Sequence, residues 1–226
     1  MEKKYKTEED PETKLLRITA LKDFSDVKKG QQGGLIEKEY NLSQEGDCWV
    51  YENAMVYENA RVRGNARVYG HAQVYGEAWV SENACVYECA KIFGHAWVSG
   101  FAQVYRHAWI YGLARVYDNA RIFGNAYVFE SAGIFGNAQV YGEASVCGYA
   151  KISGDVKLWS SADPNITASI ENNKDYVILG SSNIDNIGEF LVFPSNIENI
   201  TTNISLTATD YIKNLKTIRQ LYGEEV

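Results

Sequence analysis

The sequence has few prolines and cysteines, no excess of positive charge and no long apolar run. Four cysteines (Cys48, Cys85, Cys89 and Cys147) include no Cys-x-x-Cys pair, so we expect reduced thiols at ordinary structural positions. A net charge of −7 argues against direct binding to nucleic acid or to a membrane surface. Residues 1–11 lack the apolar core of a signal peptide, and no stretch reaches the roughly 18 apolar residues of a membrane span. These shortages predict a soluble, cytoplasmic protein.

A six-residue repeat fills the middle of the chain. From Val50 to Leu158, every sixth residue is Val, Ile or Leu, and the residue two before it is Ala from Ala54 to Ala150. Residues two apart on a strand point to the same side, so each Ala-x-Val unit predicts one short strand with both side chains inward. The following pair, such as Gly-Asn or Gly-His, tolerates the backbone of a tight corner.

This pattern resembles the hexapeptide-repeat superfamily, whose members form a left-handed parallel β-helix. The resemblance implies three hexads per coil, so that residues 18 apart stack at about 4.8 Å. It predicts an all-β solenoid of about six coils. The segment before the repeat, running into CWVYENA, also resembles largely uncharacterised hexapeptide-repeat proteins of phages and prophages. That second resemblance implies a host cytoplasmic setting.

The flanks predict caps at the two ends of the solenoid. Residues 1–47 form an N-terminal tail and β cap, with a strand at 15–20 and a turn at Gly33-Gly34; residues 48–162 form the solenoid. Residues 163–226 carry 4 basic and 9 acidic residues and predict a small acidic α+β module. It would contain strands at 176–179 and 189–193 and a helix from about 207 to 222.

Adding 18 along the repeat predicts rows of outward side chains. Two rows are aromatic throughout: Tyr51, Tyr69, Tyr87, Tyr105, Phe123, Tyr141 and Trp159, and Tyr57, Tyr75, Phe93, Tyr111 and Phe129. Stacked rings would stabilise the solenoid by roughly 0.5 to 1.5 kcal/mol per pair. Tyr69, Tyr87 and Tyr105 are also candidates for a contact surface with a partner or a second subunit.

A third outward row contains Arg61, Trp79, Trp97 and Arg115, followed by Gly133 and Lys151. Structurally, this row forms a cation–π stack on a sheet face. Functionally, Trp and Arg are enriched at binding hot spots, and indole rings can also stack on a nucleobase. The net charge favours a protein partner, so Trp79, Trp97, Arg61 and Arg115 are the principal candidate binding residues.

An enzymatic reading remains open, because many hexapeptide-repeat proteins are acyltransferases. Their catalytic His usually lies on a loop inserted between coils, and this repeat has no insertion. His95 lies one coil from Glu77 and could form a general-base pair. His71, Cys89 and His107 share one corner, but a straight row provides no obvious fourth zinc ligand. The sequence therefore indicates no catalytic residue, metal or cofactor.

The sequence thus predicts a noncatalytic module that binds a host protein or protein complex. The phage resemblance extends this to an inhibitor of a host enzyme or of a nucleic-acid-targeting defence complex. An acyltransferase-like enzyme is the alternative, and a structural or self-assembling component is the third reading.

Overall fold

The computed structural model describes residues 3–158 and two later strands, 176–180 and 190–194. Its N-terminal elements are β1 (Tyr5–Glu9), β2 (Leu16–Ala20), β3 (Gln32–Ile36) and a 3₁₀ helix (Glu39–Asn41). Strands β1, β2 and β3 pair antiparallel in that order. Strand β3 then pairs in parallel with the repeat, so the N-terminal sheet continues directly into the solenoid.

Each hexad forms one short strand, as predicted. These strands are β4 (Trp49–Val50), β5 (Met55–Val56), β6 (Arg61–Val62), β7 (Arg67–Val68), β8 (Gln73–Val74), β9 (Trp79–Val80), β10 (Cys85–Val86), β11 (Lys91–Ile92), β12 (Trp97–Val98), β13 (Gln103–Val104), β14 (Trp109–Ile110), β15 (Arg115–Val116), β16 (Arg121–Ile122), β17 (Tyr127–Val128), β18 (Gly133–Ile134), β19 (Gln139–Val140), β20 (Ser145–Val146), β21 (Lys151–Ile152) and β22 (Val156–Leu158).

The strands stack into three parallel sheets that form the sides of the solenoid. One sheet runs β4-β7-β10-β13-β16-β19-β22, the second runs β3-β5-β8-β11-β14-β17-β20, and the third runs β6-β9-β12-β15-β18-β21. Partners within the repeat lie 18 residues apart, as in Val86 with Val104. The expected parallel β-solenoid is confirmed, with about seven turns.

The additional turn comes from residues upstream of the first hexad. Leu35 pairs with Met55 and Leu42 with Val62, so this turn contains 20 residues where later turns contain 18. The expected turn at Gly33-Gly34 is wrong, because both glycines lie inside β3. A Cβ on Gly33 would lie 2.5 Å from the Val50 carbonyl oxygen, so the glycines permit close contact between backbones.

The interior contains the inward side chains that the repeat predicts. Every repeat alanine from Ala54 to Ala150 is buried, as is each inward aliphatic residue from Val50 to Leu158 that the structure describes. Successive turns also cover one another's backbone, because each strand donates to and accepts from the turns on either side. The solenoid's stability therefore comes from an apolar column shared by all three sides.

The corners contain a recurring contact that the sequence analysis missed. Five corner residues with a left-handed backbone are acidic and are followed 18 residues later by glycine. In each case the carboxylate accepts the glycine N–H at 2.7 to 3.1 Å: Glu52 with Gly70, Glu58 with Gly76, Glu82 with Gly100, Asp118 with Gly136 and Glu130 with Gly148. This bond offsets the cost of placing a side chain at positive φ.

The N-terminal sheet covers one edge of the first turns. Trp49 is fully buried and contacts Tyr5 and Phe24 edge-on, with ring centroids 6.0 and 5.3 Å away. Lys4 is also buried, and its ammonium donates to the Cys48 carbonyl oxygen at 2.9 Å. Burial lowers the pKa of Lys4, although the neighbouring Cys48 opposes that shift.

Two further strands follow the repeat: β23 (Tyr176–Gly180), which pairs in parallel with β22, and β24 (Phe190–Pro194), which pairs antiparallel with β23. They confirm the strands expected in this region. The expected helix from 207 to 222, the acidic charge of the module outside these strands, and Trp159 lie outside the described residues. Within the described part, no helix has the length and hydrophobicity of a membrane span.

Candidate partner-binding face

The third sheet presents the row predicted to bind a partner. Backbone pairing places Arg61 beside Trp79, Trp79 beside Trp97 and Trp97 beside Arg115, and the row continues through Gly133 and Lys151. We call the outer surface of this sheet the tryptophan face. The predicted stacking of residues 18 apart is therefore confirmed for these side chains, whereas their binding role stays a prediction.

Cations lie against both indoles. The guanidinium carbons of Arg61 and Arg63 lie 5.4 and 4.6 Å from the Trp79 ring centroid, and that of Arg115 lies 6.0 Å from Trp97. The two indoles are 6.4 Å apart and tilted by 58°. Cation–π attraction at exposed sites contributes about 0.5 to 1 kcal/mol, so these contacts fix the rings in place before any partner arrives.

Small or polar residues lie beside the exposed indoles. Trp79 and Trp97 are 38% and 44% exposed, and the adjacent row contains Arg63, Ser81 and Ser99 where the other sides carry aromatic rings. Trp97 Nε1 donates to Ser81 Oγ at 3.2 Å. The Trp97 indole therefore leans across the position that a ladder ring would otherwise fill.

Two large apolar side chains are exposed on the tryptophan face itself. Among the described residues, seven large hydrophobic side chains are exposed: Trp79 and Trp97 lie on this face, Tyr40, Phe101, Leu113 and Tyr149 lie at the two corners that it shares with the neighbouring sides, and Tyr127 lies on another side. Adjacent exposed apolar side chains are typical of an interaction surface.

Tyr40 extends the row in a way that the repeat does not predict. Its ring lies 5.8 Å from the Arg61 guanidinium carbon, and its hydroxyl bonds Asn59 Oδ1 at 2.6 Å. Tyr40 belongs to the 20-residue turn, so adding 18 along the sequence could not place it. The row of rings and cations therefore starts one turn earlier than predicted.

The candidate residues Tyr69, Tyr87 and Tyr105 lie on a different side. Their rings stack in the first aromatic ladder, with centroids 4.9 Å apart for Tyr69 and Tyr87 and 4.7 Å for Tyr87 and Tyr105. Burial raises the pKa of Tyr87 to about 12, so its phenol stays neutral near pH 7. The ladder tyrosines already contact each other face to face, and the structure does not bring them together with the tryptophans.

His95 and Glu77 do form the expected pair. His95 Nδ1 lies 3.2 Å from Glu77 Oε2, and both side chains are mostly exposed. His95 also borders a groove of about 670 Å³ that extends over Trp97, Arg115 and Lys151. Among the described residues, no three His, Cys, Asp or Glu side chains are placed to hold a metal ion.

Comparison with known proteins agrees with the repeat and the fold. A family model described as the YdcK β-solenoid repeat matches residues 114–130. The uncharacterized acetyltransferase YdcK of Escherichia coli (strain K12) is 50% identical over 38 residues, which cover 17% of this chain and 12% of that protein. The hexads, the parallel solenoid and these similarities agree with the predicted resemblance to the hexapeptide-repeat superfamily. The match covers about an eighth of the relative's length.

Proposed function

We propose that this protein is a noncatalytic binding module and that a partner protein docks on its tryptophan face. The observation that carries the proposal is the adjacent pair of exposed indoles on that face, with arginines against both. Trp and Arg are the residue types that most often carry binding energy at protein interfaces. The rigid backbone beneath them also limits the entropy lost on binding.

The charge of the chain favours a protein partner over a nucleic acid. The chain carries −7 overall, and the repeat itself holds 9 basic and 9 acidic residues between 48 and 162. Binding to a phosphate backbone would need a surplus of cations. The narrower form, in which the partner is a host enzyme or defence complex inhibited by a phage protein, depends on the resemblance of the N-terminal flank alone.

Site-specific photocrosslinking tests the proposal. Benzoylphenylalanine is placed at Ser99, beside Trp97, and in a matched chain at Gln103, on the neighbouring side. We expect the Ser99 position, after irradiation in cells that express the protein, to give a discrete covalent product with another protein. Gln103 should give none. Equal products from both positions would overturn the assignment, and a product with a second copy alone would indicate self-assembly.

An acyltransferase-like activity is the second candidate, favoured by the His95–Glu77 pair at the edge of the groove. A general base must lie within hydrogen-bond reach of the proton it removes, and a carboxylate on the other imidazole nitrogen would orient it. If this candidate holds, acetyl-CoA should bind saturably. The double variant His95→Ala with Glu77→Ala should then abolish transfer without changing the thermal midpoint.

A further inference from the structure

Gly133 interrupts the outward row of the tryptophan face without a backbone reason. It lies between Arg115 and Lys151 in the sheet, and its φ is outside the left-handed region. A Cβ built at this position would meet only the Lys151 Cγ, at 3.9 Å, which is ordinary contact. A larger residue would therefore fit, and glycine here leaves a recess in an otherwise continuous row.

Two cations border this recess. The strands of Arg115 and Lys151 are separated by the Gly133 strand, which places their backbones about 9 to 10 Å apart at the usual strand spacing. Among residues 3–158, neither side chain forms an ion pair with a carboxylate, whereas Arg17 pairs with Asp10 and Arg67 with Asp26. The Arg115 guanidinium carbon lies 6.0 Å from the Trp97 ring centroid, so an anion over Gly133 would contact both cations when the Arg115 side chain turns from Trp97 towards Lys151.

The remaining walls restrict which anion fits. The stacked rings of Tyr117 and Phe135, 4.9 Å apart, form one side of the groove. Glu82 and Asp118 also line it, and each carboxylate holds the corner N–H of a glycine, Gly100 or Gly136. These carboxylates would repel a phosphate with two negative charges about twice as strongly as a group with one.

We propose that the recess over Gly133 accepts the carboxylate of an Asp or Glu side chain presented by the partner protein. This inference rests on the proposed docking at the tryptophan face, and it assigns a separate role to each end of that face. Trp79 and Trp97 provide the apolar anchor, and Arg115 with Lys151 selects a negative charge two to three turns further along the solenoid. The partner surface would then carry an acidic side chain beside an apolar patch.

The probe for a direct test is a capped heptapeptide of alternating leucine and glutamate, compared with its glutamine counterpart. Binding to the full chain is followed from the backbone amide resonances of residues 115–152. We expect the glutamate peptide to shift Gly133 and its neighbours saturably, with at least tenfold weaker binding of the glutamine peptide. Absence of saturable binding by the glutamate peptide would overturn the proposal, as would equal binding of both peptides.

Matched variants separate the recess from general electrostatic attraction. Lys151→Gln and Lys157→Gln remove the same charge from different sides, and Gly133→Val and Ser145→Val add bulk to different sides. Lys151→Gln and Gly133→Val should each weaken the glutamate peptide tenfold or more, and their controls less than twofold. Equal effects within either pair would contradict the proposal.

A nucleotide arm and the crosslinking experiment complete the test. ATP that binds with the same dependence on Lys151 and Gly133, and more tightly than the peptide, would overturn the carboxylate assignment in favour of a nucleotide. The peptide experiment does not use the cellular partner. If no peptide binds, the carboxylate proposal fails, and the docking proposal is still tested by the Ser99 crosslink. Failure of that crosslink with intact peptide binding would instead remove the docking proposal alone.

Discussion

The tryptophan face and the two ladder-bearing sides share one backbone and one interior, yet their outward side chains contact different things. On the ladder sides, rings stack on rings, with centroids near 4.9 Å from turn to turn. On the tryptophan face, the neighbouring row is Arg63, Ser81 and Ser99, so Trp79 and Trp97 are left partly in solvent.

This difference separates stability from recognition within a single repeat. Ladder rings satisfy their contacts inside the chain, and their removal should weaken folding. The exposed indoles contact cations but retain surface that a partner could cover. Substitutions on the ladder sides and on the tryptophan face can test whether stability and partner binding are separated in this way.

The largest effect on folding is expected from Tyr69→Ala combined with Tyr87→Ala. The pair takes part in three ring contacts, including those with Tyr51 and Tyr105. At roughly 0.5 to 1.5 kcal/mol each, the free energy of unfolding should fall by about 1.5 to 4.5 kcal/mol in urea titrations. Partner affinity should change less than twofold. An unchanged unfolding midpoint would show that the ladder does not stabilise the solenoid.

Overpacking the interior should cost less and should not distinguish the sides. Ala102→Leu and Ala96→Leu each force a larger side chain into a fully buried position, behind a ladder side and behind the tryptophan face. Each should lower the free energy of unfolding by about 1 to 3 kcal/mol. The outward neighbour Gln103→Leu is the control and should cost less than about 0.5 kcal/mol. A clear difference between the two alanine variants would break the assumption of a common interior.

A ladder can also be added to the tryptophan face. Ser81→Tyr with Ser99→Tyr would place rings below the existing Tyr117–Phe135 stack. Two new ring pairs should outweigh the lost Trp97–Ser81 hydrogen bond and raise stability by about 1 kcal/mol. Because the new rings would cover the indoles, partner affinity should fall about tenfold in the same protein. Higher stability with undiminished binding would argue that the exposed indoles are not the contact.

The smallest effect concerns the corner contacts, which should be equivalent on every side. Glu58→Ala removes the bond to the Gly76 N–H while leaving a left-handed residue, and should cost about 0.5 to 1.5 kcal/mol. Glu58→Gly also removes the bond but relieves the backbone, so its free energy of unfolding should stay within about 0.5 kcal/mol of the original. The same two substitutions at Glu52, at the corner that does not border the tryptophan face, should give the same result. An alanine variant as stable as the glycine variant would show that the bond contributes little.

The sequence predicted the interior and the rows because the hexads contain no insertion. With each inward Ala and Val fixed, adding 18 placed Trp79 beside Trp97 correctly. Adding 18 did not work before the first hexad, because the first turn has 20 residues and places Tyr40 beside Arg61. Gly33 and Gly34 were misassigned because a glycine pair predicts a turn locally, while here the glycines allow the backbone to approach Val50.

Exposure was harder to predict than position. A row of tryptophans has the same sequence pattern whether or not neighbouring side chains cover it. The residues beside the exposed indoles are Ser81 and Ser99, two positions after Trp79 and Trp97. The ladder tyrosines were also candidates for binding, because the sequence does not show how far their rings are exposed. Their mutual stacking, which adding 18 predicted and the structure confirms, separates them from the tryptophans.

The most direct test of the docking face is calorimetry of Trp79→Ala with Trp97→Ala against the partner identified by crosslinking, beside the Tyr69→Ala and Tyr87→Ala chain. The account predicts that the tryptophan variant still folds but loses at least about thirtyfold in affinity, equivalent to about 2 kcal/mol. Its three lost cation–π contacts, at about 0.5 to 1 kcal/mol each, should lower its free energy of unfolding by about 1.5 to 3 kcal/mol. The tyrosine variant should lose stability and keep its affinity. Undiminished binding by the tryptophan variant, with its fold intact, would contradict the assignment of the tryptophan face as the partner-binding surface.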